Sequence, residues 1–164
     1  MLTPKFCLNK DRTIYVTEEW ISDGIWILSK DILHPSVCPK AINNFVFLKP
    51  GSYNYKGQSE EGKIPDFQSL LNPIRNNQRS YYPTSNMPIG VQFSADEMSI
   101  HAYRYQFAES LEIGIAPEYA SLLRLGNAFA HSSNEALILT SGDKNSDLLV
   151  GAIMPIRVSG GKIK

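Results

Sequence analysis

Apolar residues fall along the chain in short alternating or continuous runs divided by turn-forming residues, the pattern of β-structure. Thr13 to Leu33 carries Ile14, Val16, Trp20, Ile25, Trp26, Ile27 and Leu28 on either side of Ser22-Asp23-Gly24. Branched and aromatic bulk suits strands, and glycine accepts the backbone of a tight turn, so strands around a turn are expected. Phe45-Val46-Phe47-Leu48, closed by Pro50-Gly51, is expected as another strand, and polar Ser52 to Lys63 as an exposed loop. Ile89 to Phe107 alternates around Ser94-Ala95-Asp96-Glu97 as a hairpin does, and Leu111 to Ile115 alternates as a strand. Ala128–His131, Ala136–Thr140 and Leu148–Val158 supply three more. In the last of these, an apolar run leads into Met154-Pro155-Ile156-Arg157 and a Gly-rich basic tail. Proline gives no ladder hydrogen bond, so Pro155 belongs at an edge or where the strand leaves its sheet.

Two stretches read as helices. Ile64-Pro65-Asp66-Phe67-Gln68-Ser69-Leu70-Leu71 puts Phe67, Leu70 and Leu71 at i, i+3, i+4, one apolar face. Pro65 suits its first position, and Pro73 stops it by Asn72, giving a helix over about 65–72. Pro117 opens a second helix over about 117–126, with Glu118 early and Gly126-Asn127 as a stop. Asn76 to Pro88 reads as a long polar connection. The fold class is therefore α+β: antiparallel sheet with two short helices, ending in a strand–helix–strand–strand–strand unit.

Composition narrows the function. The chain has 164 residues, which favours one domain, and 43% apolar against 20% charged residues is the balance of a soluble globular protein. Lys+Arg and Asp+Glu are 16 each, so the basic excess of a nonspecific nucleic-acid binder is missing. Cys7 and Cys38 stand at no zinc spacing, and without a secretory signature a disulfide between them is disfavoured. No signal-peptide pattern and no membrane-length apolar run occur, so a cytoplasmic location is expected. His34, His101 and His131 are isolated from one another and from cysteine, and no nucleotide-binding or nucleophile motif is present. Glu18-Glu19 and Glu60-Glu61 are sequence neighbours whose side chains diverge, unlike a poised acid–base pair. No catalytic residues, metal site or cofactor are expected.

In order along the chain, four segments resemble one family. Ile64-Pro65-Asp66-Phe67 with Leu70-Leu71, then Gly90-Val91-Gln92-Phe93 through Met98-Ser99-Ile100, then Leu111-Glu112-Ile113-Gly114-Ile115 with Tyr119, Leu122 and Leu123, and finally Met154-Pro155-Ile156-Arg157-Val158 are similar to successive segments of the bacterial DNA polymerase sliding clamp. Clamps commonly end in Met-Pro-Met-Arg-Leu. The likeness spans about Ile64 to Val158, a clamp-like part between an unassigned 1–63 and a flexible tail, 159–164. Ser22-Asp23-Gly24-Ile25-Trp26-Ile27 is similar to the family's Thr-Asp-Gly-His-Arg-Leu, with Ile25 and Trp26 in place of its basic pair.

The resemblance implies a sliding-clamp-like domain that receives a short partner peptide in an apolar pocket. The residues carried over are Gly24, Ile27, Pro65, Ser69, Leu70, Met154, Pro155 and Arg157. Ser69 departs from the basic residue common there. The implied role is a replication-associated, processivity-type binding protein whose partner is a polymerase or other protein, with DNA as a further partner. The alternative is a phage or mobile-element inhibitor or adaptor that binds a host protein without a DNA role. Because clamps are rings of six such domains, the resemblance also leaves open a homo-oligomer. A separate nucleic-acid element is offered by Arg75, Arg79, Tyr81 and Tyr82, with arginines for phosphate and tyrosines for base stacking. Against these stand plainer roles: core packing for Met154, Trp20 and Trp26, a turn for Asp23, a solvated strand-end charge for Arg157, and a surface loop with packing tyrosines for Arg75–Tyr82.

Overall fold

The computed structural model describes residues 6–31, 39–77, 80–145 and 148–156. Within them lie β1 (Ile14–Val16), β2 (Trp20–Ser22), β3 (Trp26–Ser29), α1 (Lys40–Val46), β4 (Gly51–Tyr53), β5 (Ser59–Glu60), α2 (Phe67–Asn76), β6 (Tyr82–Pro83), β7 (Gly90–Phe93), β8 (Ile100–Ala108), β9 (Leu111–Ile115), a 3-10 helix (Pro117–Leu125), β10 (Asn127–Ala130), β11 (Leu137–Thr140) and β12 (Leu149–Ile153). The α+β class holds, and all strand pairs are antiparallel. One sheet has the order β5-β4-β1-β2-β3-β12-β11-β10-β6, and a smaller one β7-β8-β9.

Both faces of the larger sheet are covered, which is why its central strands are apolar at successive positions rather than alternately. Ile14, Val16, Ile21, Trp26, Leu28, Leu137, Leu139, Val150 and Ile153 point into one core. There they meet Ile42 and Phe45 of α1, Leu122 of the 3-10 helix, and Tyr103, Tyr105 and Ile113 of the small sheet. The opposite face carries Trp20, Phe129, Ile138, Leu149 and Ala152, closed by Phe67 and Leu71 of α2. Removing side chains such as Phe67 and Leu71 from water contributes about 1.5–3 kcal/mol each.

Leu149 and Ala152 face α2 although they are three positions apart, an odd spacing that puts strand residues on opposite faces. A register shift explains this: Leu139 pairs with Gly151 and Thr140 with Leu149, leaving Val150 as the extra residue of a bulge.

Four expectations need correction. Phe45 to Leu48 is not a strand, because Ile42 and Phe45 are buried three residues apart with Val46 packed beside them, a helical stripe that makes α1. Ser52 to Lys63 is not all loop, since β4 and β5 pair across it. Pro65 is not the first helical residue of α2. Asp66 caps that helix, accepting the Ser69 N–H (3.2 Å) and hydroxyl (2.7 Å), and Pro65 precedes the cap. Nor does Pro73 end α2. It sits on the exposed side with Ser69, whose carbonyl lacks a helical donor because proline has no N–H, while Leu71 and half-buried Ile74 carry the packed face past it.

The second helix keeps its expected span but is 3-10, burying Tyr119, Ala120, Leu122 and Leu123. The strand–helix–strand–strand–strand unit appears as β9, the 3-10 helix, β10, β11 and β12. β12 is an interior strand between β3 and β11 and stops at Ile153, before the proline.

Candidate functional site

The turn between β2 and β3 is built on side-chain oxygens. The Ser22 hydroxyl accepts the Gly24 N–H at 2.9 Å. Asp23 Oδ1 accepts the N–H groups of Ile25 (2.8 Å) and Trp26 (3.2 Å). Asp23 Oδ2 accepts the Tyr119 hydroxyl at 3.0 Å, and Arg12 Nε donates to the Asp23 carbonyl at 2.8 Å while standing 3.9 Å from Oδ2. The Asp23 side chain is fully buried, so these partners stand in for water. Gly24 has φ +93°, and a Cβ there would lie 2.8 Å from Arg12 Nη2.

Burial, then the Asp23 charge beside it, pushes the Tyr119 phenol above its ordinary value of 10.0. A raised folded-state value leaves stability intact below about pH 10 and erodes it as the unfolded chain ionises above that. Alkaline titration of thermal stability therefore shows a loss starting near pH 10, and Tyr119→Phe makes it shallower, the remainder including Tyr81, whose phenol burial also raises; an unchanged slope in the variant would remove Tyr119 as a cause.

The Met-Pro segment lies beside this turn. Register partners Ile153–Trp26, Ala152–Ile27 and Gly151–Leu28 bring β12 against β3. Beyond the strand, the Met154 N–H donates to the Ile25 carbonyl and the Ile156 N–H to the Gly114 carbonyl of β9, each at 2.8 Å. Pro155 thus stands where the chain passes from the large sheet to the small one, a step at which no donor is needed.

Of the carried-over residues, Gly24, Met154 and Pro155 meet at this end of β3 and β12. Ile27 lies partly buried on the α2 side of the sheet, opposite Ala152. Leu70 and Met154 remain exposed, at 56% and 43% of their surface. Ser69 is held at the start of α2 by Asp66. Pro65 lies elsewhere: it lines a groove of about 270 Å³ with Thr17, Glu18, Glu19, Trp20, Asp66, Phe67 and Gln68. That groove adjoins the start of β2, and Gly24 follows its end. Arg157 falls outside the described residues.

The described residues of the nucleic-acid element differ in exposure. Arg75 is exposed in the last turn of α2, and Arg79 lies outside the described residues. Tyr81 is corrected. Only 3% exposed, it packs in the α2-side core and against His131 at 5.5 Å between ring centres, so its ring face is not offered to a base. Tyr82 is half exposed on β6.

Two features escaped the sequence reading. The Asp23–Tyr119 contact joins residues 96 apart, and the acidic groove joins a β-turn to a helix start. Ser-Asp-Gly and Glu-Glu were visible as local signals, but their distant partners were not.

No family model and no curated protein matches the chain. Among solved structures it is similar to a DNA polymerase sliding clamp from Pseudomonas aeruginosa, with 14% identity and a TM-score of 0.39 over 94% of this chain. The match spans 62% of that clamp chain's length.

Proposed function

We propose that the chain is a non-enzymatic, clamp-like binding protein that engages a partner peptide through the apolar side chains of Ile27, Leu70, Met154 and Pro155, with Gly24 and Ser69 beside them. One observation carries the reading. The Met154 N–H on the Ile25 carbonyl makes the Asp-Gly turn and the Met-Pro segment, two walls of the clamp pocket in the resemblance, hydrogen-bonded neighbours. Methionine is unbranched and adaptable, so an exposed Met154 suits varied apolar side chains. Pro65 joins this set only if the peptide extends along α2.

Calorimetric titration with a short peptide of the kind sliding clamps bind tests this reading. Met154→Ala and Leu70→Ala are each expected to weaken binding about tenfold, as peptide grooves bind through few anchors. Unchanged affinity in both variants would dispose of it.

The second reading, a host-protein adaptor with no DNA role, is favoured by Trp26. It occupies the place of the clamp's arginine and is fully buried in the core, so that position offers DNA no charge. A salt-dependent DNA-binding assay separates the two. Affinity at low salt supports the replication role, while none at any salt supports the adaptor.

A further inference from the structure

The groove between the β1–β2 turn and the start of α2 is not accounted for by those apolar side chains. It has an apolar floor and an acidic rim: Trp20, Pro65 and Phe67 below, Glu18, Glu19 and Asp66 above. Both glutamates are exposed on a turn closed by the Thr17 N–H to the Trp20 carbonyl at 2.8 Å. The Thr17 hydroxyl oxygen accepts the N–H groups of Glu19 (3.3 Å) and Trp20 (2.8 Å), which holds the turn in one shape. Hydrogen bonds from Ser69 hold the Asp66 carboxyl below the usual carboxylate range.

Among the described residues none of these three carboxylates has an ion-pair partner. One cation touches the lining, Lys30, whose ammonium donates to the Thr17 carbonyl at 3.1 Å. Three carboxylates beside that one ammonium make the described rim net negative around an aromatic floor. Trp20, a lining residue, is 6% exposed and Phe67 3%, so the floor shows only a narrow strip of aromatic surface.

We propose that this groove takes an arginine side chain presented by a partner protein, its guanidinium between the carboxylates and its stem on Trp20 and Phe67. The chemistry is matched on each count. The planar guanidinium pairs with carboxylates, stacks on aromatic faces and is weakly hydrated, while the methylene stem covers apolar surface. The volume suits one long side chain and its flanking backbone rather than a folded element. The inference is independent of those apolar side chains, none of which lines the groove.

The test uses the full chain with acetyl-Gly-Arg-Gly-amide, and the same tripeptide with uncharged citrulline as control. Binding is followed by the NMR indole N–H signals of the two tryptophans, assigned with Trp20→Phe. The expected result is a saturable shift of the Trp20 signal with the Trp26 signal unmoved. Glu18→Gln, Glu19→Gln and Asp66→Asn each weaken binding about two- to fivefold, as for an exposed ion pair, and rising salt weakens it further. The citrulline peptide binds more weakly still, and Met154→Ala leaves the titration unchanged. An unmoved Trp20 signal, equal binding of the citrulline peptide, or an unaltered affinity in the triple carboxylate variant overturns the proposal.

Discussion

Gly151→Val unfolds at a much lower urea concentration than the parent chain, with a loss of about 3 kcal/mol or more, the upper end of what overpacking costs. A Cβ on Gly151 would lie 2.2 Å from the Ile27 carbonyl oxygen and 2.8 Å from Leu28 Cδ2. The nearer atom is backbone, so no side-chain rotation relieves the contact. β12 must move away from β3, and both lie in the middle of the larger sheet, between the two cores. The bulge at Val150 tightens the constraint, because it fixes which residue of β12 meets Leu28. Gly62→Ala is the control. Its nearest neighbour would be Ser52 Oγ at 3.6 Å, ordinary contact, and stability is expected within about 0.5 kcal/mol of the parent. Equal midpoints for Gly151→Val and the parent would show that the two strands do not approach as closely as described.

Asp23→Ala is expected to cost about 3 kcal/mol. The carboxylate accepts two backbone N–H groups and the Tyr119 hydroxyl, all at or near the buried core. Removing it strands those donors and takes from Arg12 the charge 3.9 Å away. Asp23→Asn keeps an acceptor for Ile25 and Trp26 and offers Tyr119 a donor instead, so about 1 kcal/mol is expected. Tyr119→Phe, which removes one partner, should fall between the two. In a double-mutant cycle the alanine and phenylalanine changes are coupled by about 1 kcal/mol, because the second removes a bond already lost to the first. Strict additivity in urea unfolding would mean that the two side chains stabilise the fold separately.

Elements that announce themselves by local period were legible in the sequence. Leu111–Ile115 and the Ile89–Phe107 hairpin alternate cleanly, and β9, β7 and β8 occupy those stretches. Where the sequence misled, a tertiary contact outweighed a local rule. Pro73 is a good helix stop in isolation, yet α2 continues because Leu71 and Ile74 both pack on the sheet. Phe45 to Leu48 looks continuous and strand-like until Ile42 is seen to share its buried side.

The candidate site divides in the same way. Gly24, Met154 and Pro155 were each marked by a local oddity, a Gly in a turn and a Pro after an apolar run, and the fold brings them together. Tyr81 carries no local sign of burial; its place in the core comes from Phe67, Phe129 and Ile138, which lie outside its own segment. The acidic groove was hidden because its two banks are 47 residues apart, Glu19 to Asp66.

The hydrogen bond from Ile156 to Gly114 also bears on how the molecule avoids its own kind. β9 is an outer strand of the small sheet, and an outer strand presents unpaired backbone groups on which another chain can stack. Ile156 occupies one of those acceptors, and Pro155 beside it has no N–H to extend the ladder. The larger sheet ends on one side at β6, two residues long and half of it Pro83, and on the other at β5, Ser59-Glu60, two residues long and negatively charged. The Met-Pro-Ile segment is therefore a guard as well as a wall: shortening the chain ahead of Ile156 would free the Gly114 carbonyl of β9 for pairing with another chain.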